Sequence, residues 1–284
     1  MKGKTIVVTG ANSGIGKATA SGLAKQGHRV VMVCRSREKG EEARNEIRDS
    51  GAGGQLELEV CDLASQAEVR GLAARLSESY PSIDVLLNNA AVMPTSRQLS
   101  LDGIEMQLAV NHLAPFMLSQ LLLDALKRAD TARIVTVSSK VHHRGAIDFD
   151  DLQFERGYST MRAYAASKLA NVLFTFELAR RLKGTTVSAN CLHPGVIATN
   201  LARDWGVVVS FLWKTFTKNA DKGARTSIYL ATSSEVEGVS GRYYDDCREA
   251  RTSTIARDAE VARRLWDRSV ELTQLSADEM VPAP

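Results

Sequence analysis

The chain has 284 residues, 44% hydrophobic and 24% charged, a profile of one soluble globular domain with a sizeable core. A net charge of +3 without any basic run argues against a nucleic-acid partner. Cys34, Cys61, Cys191 and Cys247 are isolated singles, which argues against a disulfide framework or a zinc site and fits a reduced setting.

Thr5-Ile6-Val7-Val8 reads as a buried strand and Ile15–Lys25 as a helix, so Thr9-Gly10-Ala11-Asn12-Ser13-Gly14-Ile15-Gly16 is a strand-to-helix turn. There Gly10 can take positive φ, Gly14 leaves no side chain between backbone and a diphosphate, and Gly16 allows close helix packing. The N–H groups of the helix start then face phosphates. A surface turn accounts for many such glycine triplets, but the strand before and the helix after favour a dinucleotide site. The start at Met1-Lys2-Gly3-Lys4 leaves no room for a signal peptide or membrane anchor, and no apolar run reaches the length of a membrane span, so a cytoplasmic protein is expected.

Further along, Arg29–Val33 is a strand, Glu38–Arg48 a helix, Leu56–Val60 a strand, Ala67–Ser79 a helix and Val85–Leu87 a strand. Ile104–Lys127 is a helix pair or one bent helix, followed by strand Arg133–Val137, helix Arg162–Leu182 and strand Thr186–Leu192. Helices Asp221–Ala231 and Ala259–Leu272 flank a short strand, Gly241–Tyr244. The alternation predicts an α/β domain, a doubly wound parallel sheet with helices on both faces and ligands at the carboxyl ends of the strands. One domain spans 1–275, and 276–284 is expected to fray.

The second strand ends in Cys34-Arg35-Ser36-Arg37, with two arginines and no carboxylate where NAD-preferring enzymes often carry an acid. A guanidinium can hold a 2′-phosphate in bidentate fashion, which points to NADP; the alternative is a solvated helix start. Tyr164 and Lys168, four apart on the helix whose core stripe is Leu169, Val172, Leu173 and Phe176, share one face. A nearby ammonium shifts a tyrosine from about 10 toward neutrality. Alone, such a pair is more often a surface feature. Here Ser138-Ser139 ends a strand, Asn88-Asn89-Ala90-Ala91 ends another with amides able to tie backbones together, and Asn111 interrupts a helical segment.

In this order these motifs, with Pro194-Gly195, resemble the short-chain dehydrogenase/reductase family over about residues 3 to 274. The resemblance implies a single Rossmann-type domain and hydride transfer. Tyr164 would be the general acid and base, Lys168 would lower its pKa and bind the nicotinamide ribose, Ser139 would orient the carbonyl, and Asn111 would hold a relay water. It implies cofactor contacts from Gly10, Asn12, Ser13, Gly14, Ile15 and Gly16, from Arg35 and Ser36, and from Asp62 and Leu63 at the adenine. Asn89, Ala90, Tyr164, Lys168, Pro194, Gly195, Ile197 and Thr199 complete that set, with no metal. Ala91 departs from the family's usual glycine. Twenty-five positions separate Ser139 from Tyr164, and this longer stretch, Val141 through Gln153, resembles the retinol-dehydrogenase-like branch. The adjacent His142-His143 is taken as structural.

The apolar segment Trp205–Trp213 with Phe216 lies within the region, about 200–220, that the family uses as a substrate lid. The expected function is NADP(H)-dependent oxidoreduction of a hydrophobic carbonyl or alcohol, such as a retinal-, steroid-, quinone- or aliphatic-aldehyde-like compound. A homo-oligomer and a peripheral membrane contact through the lid are compatible with it. The alternative is a non-catalytic dinucleotide-binding sensor or scaffold on the same fold, which has no need of the complete Asn111/Ser139/Tyr164/Lys168 set.

Overall fold

Runs rich in Val, Ile and Leu supply most of the strands in the computed structural model, which describes residues 3–195 and 220–282. These are β1 (Thr5–Thr9), β2 (Arg29–Cys34), β3 (Leu56–Val60), β4 (Val85–Asn88), β5 (Ala132–Val137) and β6 (Val187–His193), joined by β7 (Tyr243–Asp245) and β8 (Arg248–Glu249). The sheet order is β3-β2-β1-β4-β5-β6-β7-β8, with β1 to β7 parallel and β8 an antiparallel edge. The order reverses between β1 and β4, so a crevice opens where their carboxyl ends diverge.

The helices are α1 (Gly14–Lys25), α2 (Arg37–Asp49), α3 (Gln66–Ser79), α4 (Met106–Leu108), α5 (Ala114–Leu121), α6 (Leu123–Lys127), α7 (Thr160–Arg181), α8 (Ala220–Thr232) and α9 (Ala259–Thr273). Alternate residues of each strand go to opposite layers. Ile6, Val8 and Leu87 pack toward α1, α2 and α8, while Val7, Leu86 and Ile134 pack toward α3, α5, α7 and α9. Covered on both faces, the strands read as continuous apolar runs.

The bent helix expected over Ile104–Lys127 is a π turn, Ala109–Leu113, set between α4 and α5. Pro115, in the first turn of α5, has no N–H to offer the Asn111 carbonyl four residues back, so the α-helical ladder is interrupted there. The C-terminal segment makes tertiary contacts as far as Val281. Glu279 closes a capping box on Ser276 and pairs with Arg70, and the buried Val281 donates its N–H to the Gln120 side chain at 2.9 Å. These anchors lie far away in sequence, which is why composition gave no sign of them.

The α5–α7–α9 layer closes on an aromatic cluster. The fully buried Phe116 ring lies edge-on to Trp266 at 4.9 Å and to Phe174 at 5.5 Å between centroids. Phe116→Ala is expected to lower stability by about 3–5 kcal/mol in urea unfolding, whereas Leu101→Ser, at a side chain 79% exposed, should stay within about 0.5 kcal/mol. Equal effects would show that this cluster is not the core of the layer.

Candidate active site

Thr9, at the end of β1, organises the crevice. Its Oγ1 accepts the N–H groups of Asn89 and Ala90 at 2.9 and 3.0 Å, and Asn89 Nδ2 donates to the Thr9 carbonyl at 2.8 Å. Asn89 therefore ties the ends of β1 and β4 together, as an amide at that point can. Gly10 has φ of 66°, and Gly16 lies so close to β1 that a Cβ there would stand 2.1 Å from the Gly10 carbonyl oxygen.

The start of α1 fits a diphosphate. Its N-cap residue, Ser13, makes no side-chain capping bond, and its first turn has no acidic residue. By contrast, α2, α3 and α9 are capped by Ser36, Ser65 and Asp258, and each carries an acid in its first turn. The first N–H groups of α1 thus have no side-chain cap to compete with an external anion, a feature α7 shares. Gly14, with φ of 51°, has nothing within 4 Å of where a Cβ would stand, so the open side of the turn lies there. Asn12 is half-buried, and Ile15 is buried against Gly223 of α8.

At the end of β2, Arg35 is exposed and makes no ion pair with any described residue. The Ser36 hydroxyl accepts the Lys39 N–H as the α2 cap. Cys34 is buried, and burial pushes its thiol up to about 11. Asp62 accepts the Ala64 N–H at 3.0 Å, with Leu63 half-buried beside it. Pro194 is buried, and Gly195 has φ of 73°. Ile197, Thr199 and the whole expected lid, including Trp205–Trp213 and Phe216, lie outside the described residues.

The catalytic candidates converge from three elements. α7 carries Tyr164, half-buried, and Lys168, 2% exposed, with the ammonium 5.6 Å from the Tyr164 ring centroid. Lys168 Nζ donates to the Val137 carbonyl at 3.1 Å, and Ser138 Oγ donates to the Lys168 carbonyl at 2.7 Å, so α7 is pinned to the end of β5. With Ser138 committed to that bond, Ser139 is the serine left for a ligand. Its hydroxyl accepts the Val141 N–H at 3.2 Å and keeps its own proton to donate. Asn111 is wholly buried, with its amide bonded in both directions to the Val92 backbone and to Ser167 Oγ at 3.1 Å.

Burial pushes the Tyr164 hydroxyl up to about 12 and pulls Lys168 down to about 8. The ammonium bonds the Val137 carbonyl while lying over the Tyr164 ring. Thr9 and Ser167 were not among the expected site residues. Their signals were their positions, one residue before Gly10 and three after Tyr164. Among the described residues no group of His, Cys, Asp and Glu gathers as metal ligands would, and no helix is long and apolar enough to cross a membrane.

Comparison with known proteins places this geometry. The model of the family described as short chain dehydrogenase matches residues 4–207. Mouse retinol dehydrogenase 14 is 47% identical over 94% of this chain and 85% of its own length. A solved structure of an uncharacterized Mycobacterium paratuberculosis protein superposes with a TM-score of 0.81 at 37% identity, covering 98% of this chain and 95% of that one. A Shigella flexneri short chain dehydrogenase, solved in complex with NADP, matches with a TM-score of 0.66 at 25% identity, covering 86% of this chain and 97% of that one.

The two glycines of the turn are expected to fail differently. Gly16→Ala forces a Cβ into the Gly10 backbone and should lower both thermal stability and nicotinamide dinucleotide affinity. Gly14→Ala meets open space and should cost the fold only about 1–2 kcal/mol for its positive φ while weakening dinucleotide binding at least tenfold. Unfolding curves and fluorescence titration with dinucleotide separate the two, and unchanged affinity in Gly14→Ala would remove the diphosphate from this turn.

Proposed function

The chain belongs to the short chain dehydrogenase family, and from that premise we propose that it transfers a hydride between NADP(H) and a hydrophobic carbonyl or alcohol, with Tyr164 as the proton carrier. The observation that carries this reading is the half-buried Tyr164 one helical turn before the buried Lys168, on a helix pinned through Lys168 to the strand end that presents Ser139. A bound nicotinamide dinucleotide supplies or takes up the hydride.

The side chains of this protein handle the oxygen and the proton. Ser139 donates a hydrogen bond to the substrate oxygen and fixes its direction. Tyr164, held protonated by burial across the neutral range, gives its proton to that oxygen in reduction and receives one in oxidation. A protonated Lys168 offsets the phenolate left behind. The Asn111 amide is already committed to Val92 and Ser167, so a relay water falls to its carbonyl, which Pro115 deprives of its ordinary helical donor.

Arg35, exposed and without an ion-pair partner among the described residues, supports NADP over NAD, as does the absence of a carboxylate at Cys34. The name of the mouse relative supports a retinoid-like, apolar substrate. All four cysteines are free, in keeping with a reduced, cytosolic setting.

Arg35→Ala is expected to raise the Kd of NADPH about tenfold or more and leave that of NADH nearly unchanged, because the lost partner is the 2′-phosphate. Equal weakening of both would sink the NADP assignment. Tyr164→Phe should lower turnover at least about 100-fold with NADPH affinity retained. In the intact enzyme, carbonyl reduction needs a protonated Tyr164 beside a protonated Lys168, so its rate should fall as pH rises through the Lys168 value of about 8. A Tyr164→Phe enzyme with normal kcat, or a flat profile across that pH, would assign the proton to another group.

A further inference from the structure

Two buried imidazoles converge on one peptide group at the edge of the site. The ring of His142 donates from Nδ1 to the Ser139 carbonyl at 2.7 Å, and its Nε2 accepts the Ser253 N–H at 3.4 Å. The N–H of the same peptide unit, that of Lys140, donates to His193 Nδ1 at 3.3 Å. One peptide plane is therefore held at its oxygen by one histidine and at its nitrogen by another. His142 comes from the short 3₁₀ turn that follows Ser139, and His193 ends β6.

Both rings are walled in. His142 is fully buried and lies edge-on to Tyr243 at 4.8 Å, while His193 is 3% exposed. Burial pulls both down to about 4, so each is neutral and has a fixed tautomer. His142 must carry its proton on Nδ1 to bond a carbonyl, and His193 must carry it on Nε2 to accept an N–H. The side chain of Lys140 adds a third tie, pairing with Asp245 of β7 at 2.6 Å.

We infer that His142 and His193 are positioning residues for Ser139: they grip the peptide between Ser139 and Lys140 and so set where the Ser139 hydroxyl stands. This role rests on Ser139 orienting the substrate oxygen, as proposed above. A hydroxyl on a free strand end could move with its peptide plane; with both ends of that plane bonded, the Cα–Cβ bond that carries it is held before substrate arrives, and the Val141 N–H holds the oxygen itself. Misplacement of a reacting group by about 1 Å is enough to lower a rate about 100-fold. The neighbouring His143, exposed beside His142, takes no part.

The test uses NADPH oxidation with an apolar aldehyde, decanal, together with NADPH titration. His142→Leu and His193→Leu remove the bonds and are expected to lower kcat about 10- to 100-fold, with the Kd of NADPH within about twofold. His142→Asn and His193→Asn put an amide where Nδ1 stood and should restore kcat to within about threefold. In a Ser139→Ala background the Leu substitutions should cause no further loss, because there is no hydroxyl left to position. The same fractional loss with and without Ser139, Leu variants with full kcat, or Asn variants as slow as the Leu variants would each overturn the inference. Nitrogen-15 NMR of the histidine rings reads the clamp without turnover: Nδ1 protonated in His142 and Nε2 protonated in His193 support it, and the opposite tautomer in either ring overturns it. If the unaltered enzyme leaves every apolar carbonyl unreduced, the functional reading falls, while the ring spectra still decide the clamp.

Discussion

The site depends first on how closely α1 approaches the end of β1. At Gly16 the helix rests against backbone, with the Gly10 carbonyl and the Asn89 amide both nearer than any Cβ would allow. The Asn89 amide it rests on is the one that ties the paired ends of β1 and β4 through Thr9. The close approach also sets the uncapped start of α1 at the end of β1. α8 packs on the outer side of the same helix, with Gly22 against Ile228 and Gly223 against Ile15. One steric constraint thus fixes the start of α1 against β1 and the seat of α8 on its outer side.

Much of this was legible in the chain because it is local. The strand runs, the glycine turn and the core stripe of α7 are periodicities of two or 3.6 residues that follow from backbone geometry. Asn111 was recognisable as a misfit in a helix, and Pro115 explains the π turn that it sits in. What could not be read depends on partners distant in sequence. Val281 docks on Gln120 and Arg70 reaches Glu279, and neither contact has a local signature. The β7–β8 hairpin turns through Asp246 and Cys247 with φ of 48° and 60°, values that a sequence pattern without glycine there conceals. The bond of the Lys168 ammonium to the Val137 carbonyl is likewise a tertiary fact.

The longer connection between Ser139 and Tyr164 is anchored throughout. Gln153 accepts the Glu105 N–H, the Tyr158 hydroxyl meets both Gln107 and Glu105, and Thr160 bonds the carbonyls of Pro94 and Thr95. Gly145 lies close enough to α7 that a Cβ would be 2.4 Å from the Ala165 carbonyl oxygen. The insertion therefore braces α7 against α4 and the loop after β4, the same loop that Asn111 holds from the other side. A stretch that departs from the compact family pattern stiffens the frame around Tyr164.

The strand order also sets a timetable for the growing chain. β1 can pair with β2 as soon as the first few dozen residues are made, but its other edge waits for β4, about eighty residues later. Until then Ile6, Val7 and Val8 keep one edge of backbone unpaired, and the glycine corner has no Asn89 to close it. The nascent first third of the chain is thus a sticky, unfinished sheet, and the crevice is assembled only when the chain has doubled back across its own beginning.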